Sequence, residues 1–187
     1  MLMGIDLAFN NVGFVVVNPD GLDMVSWGCI KTKRMPKKKR TSVTVDDIRR
    51  IELIANELTG IIEEHKVVAI AAELGTGGTQ SAISTKALGM ATATLVTLAN
   101  ALNVPLYPYT PTQVKKAVGS RTYASKDTLA RVVEDRWPVL QSWKHKTTKE
   151  HVTDAAAVIL AAKTSDIYHK LFLEAAYKRV VLEKGNA

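Results

Sequence analysis

Three acidic residues and a histidine interrupt the apolar pattern of this sequence. Asp6 follows the apolar run that opens the chain, Glu73 ends a second apolar run, and Asp154 stands three residues after His151 at the polar start of a third. An ionised carboxylate in apolar surroundings is costly unless a cation or hydrogen-bond donors lie nearby. Two side chains three residues apart on a helix also project from one face, a spacing that suits two ligands of one cation. These residues are the candidates for metal-dependent chemistry.

Each candidate also has an interpretation without a metal. Asp6 alone would equally suit a cap on the turn at Asn10 and Asn11, a common role of Asp residues near turns. A single His-x-x-Asp pair, here His151 and Asp154, is more often a surface pair than a metal site. The choice therefore depends on whether the predicted elements bring the acids together.

The first part of the chain predicts an antiparallel meander. A hairpin spans residues 3–17 with a Gly/Asn turn, and residues 24–32 form a third strand after the turn signal at 18–21. Residues 46–65 then place apolar side chains at the three-and-four spacing of an amphipathic helix, with charges on the other face.

The remainder alternates helices with buried strands. The apolar run at 67–72 is typical of a parallel strand, and Glu73 lies at its carboxyl end, where open α/β sheets bind ligands. A charge-poor helix at 80–103 is predicted to pack under the sheet or against a second copy of the chain. The other predicted elements are a strand at 104–109, helices at 112–118, 125–137 and 150–162, with Thr110 and Ser125 as caps, and an amphipathic C-terminal helix at 166–184.

A meander followed by alternating helices and strands makes the first and fourth strands neighbours. Asp6, Glu73 and Asp154 then meet at one edge of the sheet, where their mutual repulsion is tolerable only with bound divalent cations. A carboxylate cluster that holds Mg²⁺ or Mn²⁺ suits phosphodiester hydrolysis by two metal ions, one activating water and the other stabilising the leaving oxygen. The sequence thus predicts a metal-dependent nuclease centre.

Composition indicates one soluble α/β domain with an anionic partner. The chain has 187 residues, long enough for one well-buried domain over 1–187 and short for two. Its 25 Lys and Arg residues exceed its 18 Asp and Glu residues, and the net charge of +7 favours nucleic acid. A single cysteine, Cys29, excludes an intramolecular disulfide and fits a reducing cytosol. No apolar run approaches the roughly 18 residues of a membrane span, so neither secretion nor membrane insertion is expected.

Basic residues concentrate in predicted loops. Residues 31–40 carry seven positive charges around a proline and predict a mobile loop that contacts phosphates, the alternative being a solvated connection. Lys115 and Lys126 bracket a polar loop at 119–124, although both could be ordinary surface lysines, and residues 141–149 form a second basic loop. The candidate DNA-binding residues are Lys37, Lys38, Lys39, Arg40, Lys115, Lys116, Arg121, Lys126, Lys144 and Lys146.

Four motifs occur in a specific order over about residues 3–163. They are Gly4-Ile5-Asp6 with Gly13, Ala71-Ala72-Glu73 followed by Ser81-Ala82 and Leu88-Gly89, Val114-Lys115 through Ala124-Ser125-Lys126, and His151-Val152-Thr153-Asp154-Ala155-Ala156-Ala157. In order and spacing this set resembles the RuvC-type Holliday-junction resolvases of the RNase H-like nuclease superfamily. The resemblance implies an RNase H-like fold, a mixed five-stranded sheet with strands 1–3 antiparallel and helices on both faces.

The same resemblance implies a site and an activity. Lys115 and Lys126 would contact the DNA backbone near the scissile phosphate. The expected protein is a homodimeric, structure-selective endodeoxyribonuclease of DNA recombination and repair that resolves four-way junctions and other branched DNA by paired nicking. Two Mg²⁺ ions per site, replaceable by Mn²⁺, would be held by Asp6, Glu73, His151 and Asp154.

The chain departs from the family pattern at three places. Leu7-Ala8 replaces the usual Pro-Gly after the first acid, and His151 stands where many members have a second acid. No aromatic residue follows Glu73 in the Gly-rich loop, where bacterial members place a phenylalanine that wedges into the junction. We therefore expect weak sequence preference. The pattern resembles the compact viral versions of the family, which implies a bacteriophage or viral origin and the cytoplasm of a bacterial or infected host cell.

Two other classes of protein share parts of this pattern. Gly4-Ile5-Asp6-Leu7 also resembles the phosphate loop of actin-like ATPases, but these need two such domains and a second glycine-rich phosphate loop that we do not find. A non-catalytic scaffold that binds branched DNA would not need all four candidate ligands. The residues therefore favour a nuclease.

Overall fold

Five strands form one mixed sheet in the computed structural model of this chain, which describes residues 1–20, 22–39, 42–75, 81–119, 125–143 and 146–165. The order across the sheet is β3-β2-β1-β4-β5, with β1 antiparallel to β2 and parallel to β4. The predicted meander and the neighbouring first and fourth strands are confirmed. The strands are β1 (Leu2–Asp6), β2 (Asn11–Val17), β3 (Met24–Lys31), β4 (Ala69–Glu73) and β5 (Leu106–Tyr109).

Serine side chains begin several of the helices. Ser42, Ser81 and Ser125 each accept a hydrogen bond from the backbone N–H three residues further on. The cap at Ser42 explains why α1 begins at Val43 rather than at residue 46. The predicted C-terminal helix at 166–184 lies outside the described residues. The helices are α1 (Val43–Glu64), α2 (Ala82–Ala101), α3 (Pro111–Gly119), α4 (Lys126–Arg136) and α5 (Lys146–Lys163), with short 3₁₀ helices at Lys37–Lys39 and Pro138–Ser142.

The sheet separates two apolar layers. Because successive side chains of a strand point to opposite faces, Met3 and Ile5 of β1 join the layer that contains α1 and α2. Leu2 joins the opposite layer, which also contains Val152 and Ala155 of α5. The predicted helices on both faces are therefore present.

Two glycines let α5 lie directly on the sheet. A Cβ at Gly4 would lie 2.4 Å from the carbonyl oxygen of Ala155, and one at Gly13 would lie 2.0 Å from the carbonyl oxygen of His151. Any larger residue at these positions would push α5 away from the strands. Since Gly13 is paired with Asp6 across the β1–β2 ladder, this close approach sets His151 beside Asp6.

The start of α5 corrects the predicted basic loop at 141–149. The helix begins at Lys146, because the preceding segment is fastened to it: Trp143 Nε1 donates to the buried Thr148 Oγ1 at 3.0 Å. Lys149 Nζ also lies 2.7 Å from Glu134 Oε1 on α4. His151 and Asp154 therefore lie in the second and third turns of α5, not in its first turn.

Most of the apolar surface of α2 is not covered by the part of the chain that the structure describes. The buried residues of α2 are Ala91, Leu95 and Ala99, whereas Ile83 is 69% exposed and Val96 is 48% exposed. The prediction that this helix packs under the sheet holds for the buried stripe alone. By length and hydropathy α2 would also be able to cross a membrane, but its buried stripe belongs to the same core as β1 and α1.

Candidate active site

The predicted acids and the histidine converge at one edge of the sheet. Asp6 ends β1, Glu73 ends β4, and the two residues are register partners across the parallel ladder. His151 Nδ1 of α5 lies 2.6 Å from Asp6 Oδ2. Asp154 is close enough for its charge to raise the pKa of Glu73. The structure thus brings together four residues that are far apart in the sequence.

Burial and mutual repulsion shift the ionisation of this cluster. Burial, followed by the charges of Asp6 and Asp154, raises the pKa of Glu73 to about 7. Burial and then the charge of Asp6 raise the pKa of Asp154 to about 6. The hydrogen bond with Asp6 raises the pKa of the His151 imidazole. Without a bound cation, protons therefore relieve part of the repulsion.

The donor set fits a divalent metal by its chemistry. Carboxylate oxygens and one imidazole nitrogen suit Mg²⁺ and Mn²⁺, and a dication would relieve the repulsion that raises the pKa values of Glu73 and Asp154. In this arrangement no three of the described His, Cys, Asp and Glu side chains converge on one metal position. Asp6 and His151 instead contact each other directly.

The metal-free protein should become less stable as pH rises from about 5 to about 8. The folded pKa values of Glu73 and Asp154 lie above their usual range, so the folded state binds more protons than the unfolded state over this interval. The raised pKa of His151 acts in the same direction, because the stabilisation of its charged form is lost as pH rises through the folded value. After allowance for solvent screening we expect a loss of roughly 1–2 kcal/mol, or about 2–8 °C in the thermal midpoint.

Thermal unfolding in EDTA, followed by circular dichroism, measures this loss. The variant Glu73→Gln should show a shallower dependence on pH, because one titrating carboxyl is gone. Addition of Mg²⁺ near pH 8 should raise the midpoint of the unmodified protein, since the metal binds only the folded site. A metal-free midpoint that rises with pH over this interval would contradict the assigned repulsion.

Lys115 and Lys126 flank the acidic cluster. The charge of Lys115 on α3 opposes the rise in the pKa of Glu73, and the charge of Lys126 on α4 opposes that of Asp154. Lys126 is also ion-paired with Glu150. Lys116 is exposed on α3, and Lys146 is the first residue of α5. The candidates Arg40, Arg121 and Lys144 lie outside the described residues.

The basic segment between β3 and α1, residues 32–39, contains a short helix and contacts α1, and its predicted mobility stays a prediction. Lys37–Lys39 form an exposed 3₁₀ helix. The segment before it is held by α1, because the Met35 backbone N–H donates to Asp46 Oδ2 at 3.2 Å and Arg49 donates to the Lys33 carbonyl at 2.8 Å. β3 runs in the same direction as β1. This segment therefore follows the end of β3 that lies at the same end of the sheet as Asp6.

A buried polar network behind this segment was not predicted. Arg50, only 2% exposed, donates to Thr32 Oγ1 at 3.0 Å and to the Phe9 carbonyl at 3.2 Å, and its guanidinium lies 4.0 Å over the Phe9 ring. Arg50 therefore fastens the turn that follows Asp6 to the end of β3. The prediction that the charges of α1 face solvent is wrong for Asp46 and Arg50, which are buried with partners on neighbouring segments.

A second buried carboxylate of α1 joins two cationic side chains. Asp47 Oδ2 accepts a hydrogen bond from Lys86 of α2 at 3.0 Å, and its Oδ1 lies 3.8 Å from Arg34 of the basic segment. In the sequence, the only indication of this network is the run of adjacent acids and arginines at the start of α1. The same run would occur on a helix face that is exposed to solvent.

Known proteins with similar sequences and structures are nucleases of crossover junctions. Residues 2–162 match the family described as Crossover junction endodeoxyribonuclease RuvC. The chain is 26% identical to the RuvC of Pseudothermotoga lettingae over 162 residues, 84% of this chain and 90% of the relative. It is 30% identical to the RuvC of Endomicrobium trichonymphae over 138 residues, 72% of this chain and 67% of the relative. The structure of T. thermophilus RuvC in complex with Holliday junction substrate shares the fold, with a TM-score of 0.68, 21% identity, and coverage of 86% of this chain and 90% of that chain.

Proposed function

The chain belongs to the family of the crossover junction endodeoxyribonuclease RuvC and is a metal-dependent Holliday junction resolvase, and we propose that it cleaves DNA at the cluster of Asp6, Glu73, His151 and Asp154. The observation that carries this assignment is the pairing of Asp6 with Glu73 at the ends of β1 and β4, directly beside His151. A viral origin and a single domain over 1–187 stay predictions, and we propose a cytoplasmic location.

We propose that these four residues hold two Mg²⁺ ions per site, with Mn²⁺ as a substitute. The chemistry that bound metal would supply at these residues is activation of the attacking water and stabilisation of the leaving oxygen. The proton between His151 Nδ1 and Asp6 Oδ2 keeps the imidazole ring oriented toward the cluster before metal binds. Lys115 and Lys126 on either side of the acids neutralise phosphates and hold the scissile strand in place.

Cleavage of synthetic four-way junctions with Mg²⁺, with Mn²⁺ and in EDTA tests this function. The substrates differ only in the bases at the branch point, and a three-way junction and a fork are included. We expect paired nicks with either metal, no cleavage in EDTA, and little dependence on the branch-point bases. Junctions that are bound but never cut would indicate a non-catalytic scaffold. Cleavage confined to one short sequence would contradict the proposed structure selectivity.

The exposed lysines of the 3₁₀ helix should bind phosphates without reading sequence. Replacing Lys37, Lys38 and Lys39 together by Ala should weaken binding to all branched substrates by a similar factor. The slope of log affinity against log salt should become shallower by about 2–3, since each lost phosphate contact contributes about 0.9. Fluorescence anisotropy over a salt series in Ca²⁺ measures both quantities. Lys163→Ala at the far end of α5 is the control and should leave the slope unchanged, whereas an unchanged slope in the triple variant would exclude these contacts.

We propose that the exposed face of α2 forms a two-fold dimer interface. This face is apolar and borders a groove of about 400 Å³ against α1 that is lined by small residues such as Ala55 and Ala93. An exposed apolar surface of this kind is typical of an interface between subunits. A homodimer would give one cleavage centre for each of the two strands that paired nicking requires.

The variant Gly89→Arg should be monomeric. No atom of the described residues lies within 4 Å of a Cβ added at Gly89, so the arginine fits the described chain, and we expect it to act against a second copy. Gly60→Arg on α1, where the described residues leave the surroundings equally open, is the matched control and should remain dimeric. Light scattering after size exclusion at micromolar concentration measures the mass. A monomeric unmodified protein would contradict the proposed interface.

A further inference from the structure

The lysine whose charge acts on Asp154 is paired with a carboxylate that is not one of the four proposed ligands. Lys126 begins α4, and its Nζ is ion-paired with Glu150 Oε1 of α5. Glu150 directly precedes His151, so the pair lies at the rim of the acidic cluster. Both partners reach solvent, with 78% of the Lys126 side chain and 50% of the Glu150 side chain exposed.

The position of this pair makes Glu150 a competitor for DNA. The Glu150 carboxylate occupies the Lys126 ammonium group in an ion pair. The same ammonium group acts electrostatically on Asp154 and Asp6. A phosphate that approaches the acids therefore finds Lys126 occupied by an anion. An exposed ion pair is weak in water and exchanges partners readily, so a phosphate can replace the carboxylate.

We propose that Glu150 is a positioning residue that holds Lys126 at the rim of the acidic cluster in the DNA-free protein and is displaced from it by a DNA phosphate. The proposal rests on the proposed function, because it places DNA at this rim. Glu150 thereby lowers the affinity for DNA phosphates while it keeps the ammonium group close to where the phosphate will lie.

Removing the Glu150 charge should tighten binding only when Lys126 is present. The variant Glu150→Gln should bind a four-way junction about two- to fivefold more tightly, the range that corresponds to loss of one exposed ion pair. Lys126→Gln should bind more weakly. In the Lys126→Gln background, Glu150→Gln should change the affinity much less, because the lysine that it would release is absent.

A second lysine–glutamate pair between the same two helices provides a matched control. Glu134 of α4 and Lys149 of α5 are paired at 2.7 Å, and each side chain is 24% exposed. Glu134→Gln removes the same charge from an ion pair on α4 and α5 without releasing Lys126. It should therefore leave junction affinity within about twofold of the unmodified protein.

The experiment is a double-mutant cycle on junction affinity, measured by anisotropy in Ca²⁺, with thermal unfolding of each variant to establish that it is folded. Coupling between Glu150 and Lys126, without an effect of Glu134→Gln, supports the proposal. Equal tightening by Glu150→Gln in both backgrounds, equal tightening by Glu134→Gln, or no tightening at all would overturn it. If the unmodified protein cleaves junctions but shows no coupling, only this inference fails. If the unmodified protein neither binds nor cleaves them, the proposed function fails with it.

Discussion

Replacing Asp6 by Asn should reduce cleavage of four-way junctions by about a thousandfold or more, because a metal ligand supplies several kcal/mol of transition-state stabilisation. Glu73→Gln and Asp154→Asn should have effects of similar size. Junction binding should persist in all three variants, since the proposed phosphate contacts come from lysines. Single-turnover cleavage at saturating protein, with binding measured separately in Ca²⁺, distinguishes the two effects.

Stability separates a catalytic role from a structural one. Each variant removes a negative charge from a cluster whose members repel one another, so the metal-free variants should be at least as stable as the unmodified protein near pH 8. Glu52→Gln, an exposed substitution on α1, is the control and should cleave normally. Loss of folding and of binding together in all three variants would indicate that the acids serve the fold instead.

Gly13→Ala should destabilise the protein by about 3 kcal/mol or more and uncouple His151 from Asp6. The added Cβ would lie 2.0 Å from a backbone carbonyl oxygen, so α5 must move because no side-chain rotation relieves the overlap. The free energy of unfolding from urea titrations measures the stability, and cleavage assays measure the effect on the site. Cleavage should fall even under conditions where the variant remains folded, because α5 carries both His151 and Asp154.

A glycine without close neighbours is the matched control. Gly60 lies within α1, and among the residues that the structure describes no atom is within 4 Å of an added Cβ. Gly60→Ala should therefore stabilise the protein by up to about 1 kcal/mol through helix propensity and the reduced entropy of the unfolded chain. If Gly13→Ala were as stable as Gly60→Ala, direct seating of α5 on β2 would be wrong.

Local sequence patterns were sufficient to predict the strands that carry Asp6 and Glu73. The hairpin before and after Asp6 and the run that ends in Glu73 are recognisable because a buried strand needs a continuous or alternating set of apolar residues. The adjacency of β1 and β4 was predicted from the order of elements, a meander of three strands followed by alternating helices and strands. The caps at Ser125 and Thr110 are equally local, since each serine or threonine bonds to the backbone three residues later.

Contacts between distant segments could not be predicted in the same way. Arg50 is buried because its acceptors at Thr32 and Phe9, 18 and 41 residues away in the chain, meet it in the fold. The helical pattern of α1 shows that Arg50 is charged, but it does not show which distant residues will accept its hydrogen bonds. The sequence also did not distinguish the buried stripe of α2 from its exposed face. Apolar residues that cover a core and apolar residues that contact another subunit have the same helical periodicity.

Segments on both sides of the site share their anchors on α1. Leu7-Ala8 follow Asp6 without a proline, and the Arg50 side chain of α1 donates to the Phe9 carbonyl in this turn. Asp46 and Arg49 of the same helical turn hold the backbone at Met35 and Lys33. When the first turns of α1 open, the turn beside Asp6 and the lysine-bearing segment lose their anchors together. We therefore expect the two segments to unfold as one cooperative unit, in which their amide hydrogens exchange through a shared opening.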